Sequence, residues 1–375
     1  MCNTRKREEI CCSSAIGPPQ YASDDPKIDS MTLENHDPSV SGRSDLLPKE
    51  STKERSIKVT RKTTRSYFMF TAQHLIKPFK NSTTEIATTH TGGSEKLIAP
   101  KKGTKNVQVQ EQMIEGICLY TLQPKKSPCG EKRRRLSKRR LYYFAGGGWQ
   151  NPPSIDHWRM TSEIAIQVPD ISVHLVSYPL APQSPAPEAF PRLLKLYRSL
   201  LLEAQEAGEG VILAGDSAGG NVVLAVTLAA LADDPKAPCP TSILAISPST
   251  DLRRQNPDML KVEKHDPILS LRFVKGTADA WRGDWDASDP RLSPLFANVD
   301  ILANRGVHVH GVTGTYDILA PDATLFREKC NDAGVQGEWL EWEKQFHCFP
   351  LAFTYKVPES VQGKDWILDL LTRCP

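Results

Sequence analysis

A serine framed by glycines, Gly215-Asp216-Ser217-Ala218-Gly219-Gly220, stands between the apolar run Val211–Ala214 and an Ala- and Leu-rich stretch beginning at Asn221. This G-x-S-x-G spacing suits a serine carried on a sharp strand-to-helix turn. The glycines let neighbouring backbone approach closely. The helix N-terminus beneath the serine offers free N–H groups and the positive end of a dipole to a developing oxyanion. The chemistry such a serine supports is nucleophilic attack on a carbonyl. A plain Gly-rich turn would share the composition, but the pattern occurs once and in the context the motif requires. A phosphate-binding loop fits poorly, because no Lys-Ser or Lys-Thr follows and Asp216 would repel phosphate.

Upstream, Ala145-Gly146-Gly147-Gly148-Trp149 follows an apolar run ending at Phe144. Three consecutive glycines let backbone amides converge on one point, which is what an acyl-transfer site needs to hold the negative oxygen of a tetrahedral intermediate. A flexible turn is the alternative for the glycines taken alone. In the strand–turn–helix arrangement the acid and then the histidine follow the serine along the chain. The downstream histidines are His265, His308, His310 and His347. His347 comes after the last expected strand, where a general base belongs, whereas His308 and His310 sit inside a strand and His265 in an irregular stretch. Asp317 directly follows the strand Val307–Thr313 and is the expected acid. Asp322 is its rival, but it falls at a helix start, where an acid is expected for dipole reasons alone. In this scheme His347 takes the Ser217 proton, and Asp317 fixes the imidazole tautomer and stabilises its charged form.

The elements that must hold these residues alternate along the chain. Strands are expected at Ser172–Ser177, Val211–Ala214, Ser242–Ser247, Val307–Thr313 and Gly337–Trp342. Helices are expected at Pro191–Glu206, Asn221–Ala232, Pro321–Ala333 and Val361–Thr372. Such alternation argues for an α/β fold with a mostly parallel central sheet and helices on both faces. Residues 251–300 break the alternation and read as an insertion above the sheet. Val107–Leu122 and Leu141–Phe144 read as a hairpin whose long tip carries the basic run Lys132–Arg140, a nuclear address being the other reading of that run. Residues 1–60 are polar, with little apolar periodicity, and are expected to be a disordered tail. The remaining residues, 61–375, form the folded domain. Within it a helix is expected over Tyr67–Phe79, with Phe68, Phe70, Leu75 and Ile76 on an apolar face.

Composition narrows the classes. A chain of 375 residues with 39% hydrophobic and 24% charged residues resembles an ordinary globular protein that can bury a sizeable core. A net charge of +3 is too small to argue for a nucleic-acid partner. The nine cysteines are scattered without a C-x-x-C pair, which argues against a zinc site and for reduced thiols in an intracellular, cytoplasmic setting. No signal peptide is apparent, and no run approaches the ~18 apolar residues of a spanning helix. Loose membrane association stays open, as does the oligomeric state, a homodimer included.

From about residue 140 to the C-terminus the chain resembles the hormone-sensitive-lipase-like (GDXG) group of α/β hydrolases, with most likeness to fungal-type esterases and steryl acetyl hydrolases. The matching motifs are Gly215–Gly220, Tyr178-Pro179-Leu180-Ala181-Pro182, Asp266-Pro267-Ile268-Leu269, Ser293-Pro294-Leu295 and the surroundings of Asp317 and His347. The resemblance implies an α/β-hydrolase fold with a helical cap, here about residues 61–105, over a catalytic core of about 106–375. Tyr67–Phe79 would serve in that cap, its aromatics touching substrate or simply packing on the core. The resemblance also implies no metal or organic cofactor. Ser217 becomes nucleophile, Asp317 acid and His347 base. The oxyanion hole draws on Gly147, Gly148 and Ala218, with Gly146 shaping the loop. One departure stands out: the group usually carries His before the glycines, and this chain has Ala145, which puts loop rigidity in question.

The implied activity is hydrolysis of a small or medium acyl ester, such as an acetylated sterol or a secondary metabolite, through an acyl-enzyme. An amidase or formamidase would use the same triad, and a non-catalytic small-molecule receptor is the reading from a different class.

Overall fold

Runs rich in branched and aromatic residues form nine strands among the described residues: β1 (Ile57–Lys62), β2 (Val107–Ile114), β3 (Ile117–Pro124), β4 (Arg139–Phe144), β5 (Ile171–Ser177), β6 (Gly210–Asp216), β7 (Ser242–Ile246), β8 (His308–Gly314) and β9 (Gly337–Trp342). The structure, a computed structural model, describes residues 56–80, 92–125 and 138–374. All nine strands join one sheet in the order β1-β9-β8-β7-β6-β4-β5-β3-β2. β3 is antiparallel to both β2 and β5, and every other neighbouring pair is parallel.

Between and after the strands run α1 (Tyr67–Ile76), α2 (Ile155–Gln167), α3 (Ala186–Ala207), α4 (Ser217–Asp233), α5 (Asp258–Glu263), α6 (Leu271–Arg282), α7 (Asp300–Asn304), α8 (Ala320–Asp332) and α9 (Pro358–Arg373). Side chains alternate across the pleat, so each strand feeds two cores. Tyr142 and Phe144 pack with α3, α4 and α8, whereas Leu141 and Tyr143 pack with α2 and α9. A mostly parallel sheet covered on both faces is therefore what the alternation predicted, with helix α3 beginning at Ala186, ahead of its expected start.

Three expectations need correcting. The hairpin is β2–β3, turning at Glu115-Gly116, and β4 lies on the far side of β5 from β3. A single long apolar stretch was in fact two strands, because Gly116 takes a positive φ of 73° that reverses the chain. The supposed tail ends too late: residues 57–60 belong to β1, which pairs in parallel with β9. Residues 1–55 lie outside the described residues. So does the basic run up to residue 137, but its last two members are strand residues with partners. Arg139 binds Asp170 and the carbonyls of Leu371 and Cys374, and Arg140 binds Glu203 and Glu209. Helix α2 was not foreseen at all. The irregular stretch 251–300 contains α5 and α6, and α6 packs directly over the glycine loop after β4.

Candidate active site

Strand β6 runs straight into helix α4 at Ser217, whose φ of +53° marks the sharp turn. The two glycines that frame the motif are sterically obligatory. A Cβ on Gly219 would lie 1.9 Å from Phe144 O, and one on Gly215 would lie 2.5 Å from Gly219 C. Ala218 follows in the first turn of α4, where amides have no intrahelical acceptor.

The loop after β4 is equally constrained. Gly147 and Gly148 have φ values of +131° and +62°. A Cβ on Gly148 would meet Thr277 of α6 at 2.8 Å. Trp149 stacks on Trp281 of the same helix at 5.8 Å, so the insertion grips this loop. The Gly146 N–H donates to Asp216 Oδ1 at 3.0 Å, and a Cβ on Gly146 would strike the same carboxylate. Gly146 thus fixes the loop, and the amides of Gly147 and Gly148 find no backbone acceptor among the described residues.

Asp317 lies in the turn after β8 and His347 in the loop after β9, 30 residues apart in sequence, and His347 Nδ1 donates to Asp317 Oδ2 at 2.9 Å. The other Asp317 oxygen accepts the Leu319 N–H at 2.9 Å. Burial pulls the His347 imidazole down, but the Asp317 carboxylate and its hydrogen bond outweigh that, and the net displacement is upward. The rival Asp322 makes no contact with a histidine: its Oδ1 accepts from Asn256 at 2.8 Å, and burial pushes it up to about 6. His265 stacks on Tyr316, and His310 accepts the Glu338 N–H within the sheet, so neither takes the place of His347. Ser217 Oγ makes no hydrogen bond to His347. The Nε2 of that ring faces the thiol of Cys348 at 3.4 Å.

His157 and the supporting role of Asp216 escaped the sequence reading, whereas Tyr178 and Asp266 belong to motifs it named. Asp216, buried beside the serine, accepts from Gly146 N, Tyr143 OH at 2.9 Å and His157 Nε2 at 3.2 Å. Burial drives its carboxyl up, and the His157 imidazole, the Gly146 amide and the Tyr143 hydroxyl more than reverse this, holding it below the usual range. The tautomer of His157 follows from its other nitrogen. The Ser154 N–H points at Nδ1 from 2.9 Å, so Nδ1 is an acceptor and the proton rides on Nε2. That contact is also the cap of α2, a reciprocal Ser154–His157 pair, and the Ser-x-x-His spacing was the one sequence signal available. Tyr178 OH donates to Ala145 O at 2.8 Å. The loop is therefore tied down at Ala145 and Gly146 without a histidine in front of the glycines. Asp266, fully buried in the insertion, accepts the Ile318 N–H at 2.8 Å with one oxygen and the Ile268 and Leu269 N–H groups with the other. Burial and the Asp317 charge push it up to about 6. The Asp-Pro-Ile-Leu motif thereby clamps the backbone beside the acid.

No group of three or more His, Cys, Asp or Glu among the described residues could hold a metal ion. What the arrangement offers is a serine on a helix N-terminus, a histidine oriented by a buried carboxylate, and unpaired loop amides, which together suit acyl transfer.

Known proteins share this fold. A family profile described as the alpha/beta hydrolase fold matches residues 141–351, more than half of the chain. An esterase of Acinetobacter venetianus is 30% identical over 233 residues, covering 62% of this chain and 74% of that one. The hormone-sensitive lipase of Mus musculus is 29% identical over 141 residues, 37% of this chain and 18% of that one. Among solved structures, a hormone-sensitive lipase from a metagenome library superposes with a TM-score of 0.65 at 22% identity, covering 83% of this chain and 98% of the other. The chain belongs to the α/β-hydrolase family, among its hormone-sensitive-lipase-like carboxylic-ester hydrolases.

Proposed function

We propose that Ser217, His347 and Asp317 act as nucleophile, base and acid in the hydrolysis of a carboxylic ester through an acyl-enzyme. The observation that carries this is the 2.9 Å bond from His347 Nδ1 to the buried Asp317, in a loop whose next residue, Cys348, brings its thiol within 3.6 Å of Asp216, directly before the left-handed turn at Ser217. His347 Nε2 takes the Ser217 Oγ proton as the oxygen attacks the carbonyl carbon. The carbonyl oxygen gathers charge beside the amides of Gly147, Gly148 and Ala218. The same proton passes to the departing alcohol; a water deprotonated by His347 then attacks the acyl carbon, the bond to Ser217 Oγ breaks, and His347 returns the proton to that oxygen as the acid leaves. Asp317 holds the ring and stabilises its transient positive charge. The bond from Ser217 Oγ to His347 Nε2 closes in the substrate complex, since such bonds are often long or poorly aligned before substrate binds.

The substrate is a small or medium acyl ester, with an acetylated sterol or secondary metabolite the preferred class by family likeness. The cap expected over residues 61–105 is supported at α1, whose Gln73 donates to Lys344 O and whose flanking Arg65 stacks over Tyr316, next to the acid, whereas residues 61 and 62 belong to β1. No helix among the described residues is long and apolar enough to cross a membrane.

The test is hydrolysis of p-nitrophenyl esters from acetate to long chains, beside Ser217→Ala. Turnover that the alanine change abolishes is the expected result, and the chain-length profile sizes the acyl site. Absence of turnover on every ester, together with no labelling of Ser217 by a fluorophosphonate, would overturn the reading in favour of a receptor.

A further inference from the structure

Helix α1 is built the wrong way round for a helix that packs on a core. Its buried residues are Met69 and Gln73. Tyr67, Phe68 and Leu75, with Phe79 just beyond, are 83%, 55%, 67% and 62% exposed. Tyr67, Phe68, Thr71 and Leu75 follow the spacing that puts residues on one side of a helix, opposite Met69 and Gln73. The inward Gln73 is satisfied by Lys344 O and by Arg65. Core-facing helices normally turn the apolar stripe inward. Contiguous exposed apolar side chains of this kind mark a surface that meets something else.

The charge around the helix narrows what that is. From Ile57 to Lys80 the chain carries Lys58, Arg61, Lys62, Arg65, Lys77 and Lys80 and no Asp or Glu. The acids that face this segment from its neighbours include Glu341, which pairs with Arg61 and Arg327, Glu359, which accepts from Ser66, Glu338, which pairs with Arg373, and Glu263 and Asp266 beside Lys80, which accept the Leu271 and Ile318 N–H groups. A second copy docking here would bring the same cations against these and be repelled. Residues 81–91, which follow directly, contain one large apolar side chain, Ile86. Exposed aromatic and aliphatic side chains bordered by cations, on a helix without acids, are the composition of a segment that lies in a membrane interface.

We propose that α1 docks on a lipid surface bearing anionic headgroups, with Tyr67, Phe68 and Leu75 entering the acyl boundary and the exposed Lys77 at the headgroups. The helix stands against the loops that carry Asp317 and His347. Gln73 reaches Lys344 O, three residues before the base, and Arg65 lies over the ring of Tyr316, directly before the acid, at 5.5 Å. A docked α1 therefore presents the serine site to esters dissolved in the lipid. That purpose rests on the hydrolase reading, whereas the docking itself does not.

The experiment is co-sedimentation of the full chain with phosphatidylcholine vesicles, with and without phosphatidylserine, at low and high salt. The companion protein is the double variant Phe68→Ser, Leu75→Ser, with its melting temperature measured to establish that it folds. The expected result is binding that is stronger by about tenfold or more on the anionic vesicles, weaker at high salt, and lost in the folded double variant. Equal binding by wild type and double variant would overturn the proposal, as would no binding to anionic vesicles. A dimer that the double variant breaks, without vesicle binding, would assign the face to a second copy. Hydrolysis of a dissolved p-nitrophenyl ester is read separately, so failure to bind lipid and failure to hydrolyse are distinguishable.

Discussion

His157 Nε2 lies 3.2 Å from both carboxylate oxygens of Asp216, joining helix α2 to the turn that carries the serine. The same carboxylate holds the Gly146 amide. One buried acid thus sets the distance between the nucleophile turn and the glycine loop.

Replacing His157 with Ala leaves that acid short of a donor and loosens the loop. A hydrogen bond to a buried charge is worth about 1.5–3 kcal/mol, so kcat should fall by roughly 10- to 100-fold with KM little changed. His157→Asn, which keeps a donor, should recover part of the loss. Steady-state kinetics on a p-nitrophenyl ester would decide it; an unchanged kcat in the alanine variant would mean that α2 does not position the loop.

The two candidate acids separate cleanly. Asp317→Asn should lower kcat by about 10⁴-fold, the loss found when the orienting acid of such a triad is neutralised. Asp322→Asn should stay within a few-fold of wild type, because its hydrogen-bond partner is Asn256 and no histidine. The reverse pattern would reassign the acid.

The pH profile follows from the upward displacement of His347 above its ordinary value of 6.5. A general base works only when neutral, so raising its pKa moves the acidic limb of kcat/KM toward higher pH. The limb should fall above pH 6.5 in wild type. In Asp266→Asn it should move to lower pH, since the Asp266 charge is one of the causes of the rise. A limb that stays put in this variant would show that Asp266 acts on backbone geometry alone.

Two glycine substitutions should have opposite signs. Gly219→Ala puts a methyl group 1.9 Å from Phe144 O and should abolish soluble folded protein. Gly276, inside α6, has nothing within 4 Å of the added carbon. There alanine should stabilise by about 0.5–1 kcal/mol, because it removes the entropy that glycine loses in a helix. Thermal melts of the two variants test this directly.

What could be read in the sequence was what local spacing encodes. The serine turn, the glycine loop and the order of acid and base lie in short segments at strand ends, and the central parallel strands β6 and β7 are largely apolar runs. What could not be read depends on partners far along the chain. The Asp216–His157 bond spans 59 residues and exists only once α2 has packed. Helix α2 itself buries Thr161 and Ser162, whose hydroxyls bond to His157 O and Gly103 O, and these blur its apolar stripe. β1 has three charged residues among six, as a strand at the rim of a sheet can, so its composition matched the polar stretch before it. The exposed aromatics of α1 misled in the other direction, since an apolar spacing says that a face exists but not which way it turns.

The pairing of β1 with β9 has a practical corollary for anyone trimming the chain. A cut at residue 60, where polarity ends, would remove four of the six registered positions and bare the edge of β9. An uncovered strand edge recruits other strands, so the shortened protein would tend to precipitate. A cut that spares this pairing must keep Ser56, whose hydroxyl donates to Asn331 O and fastens the start of β1.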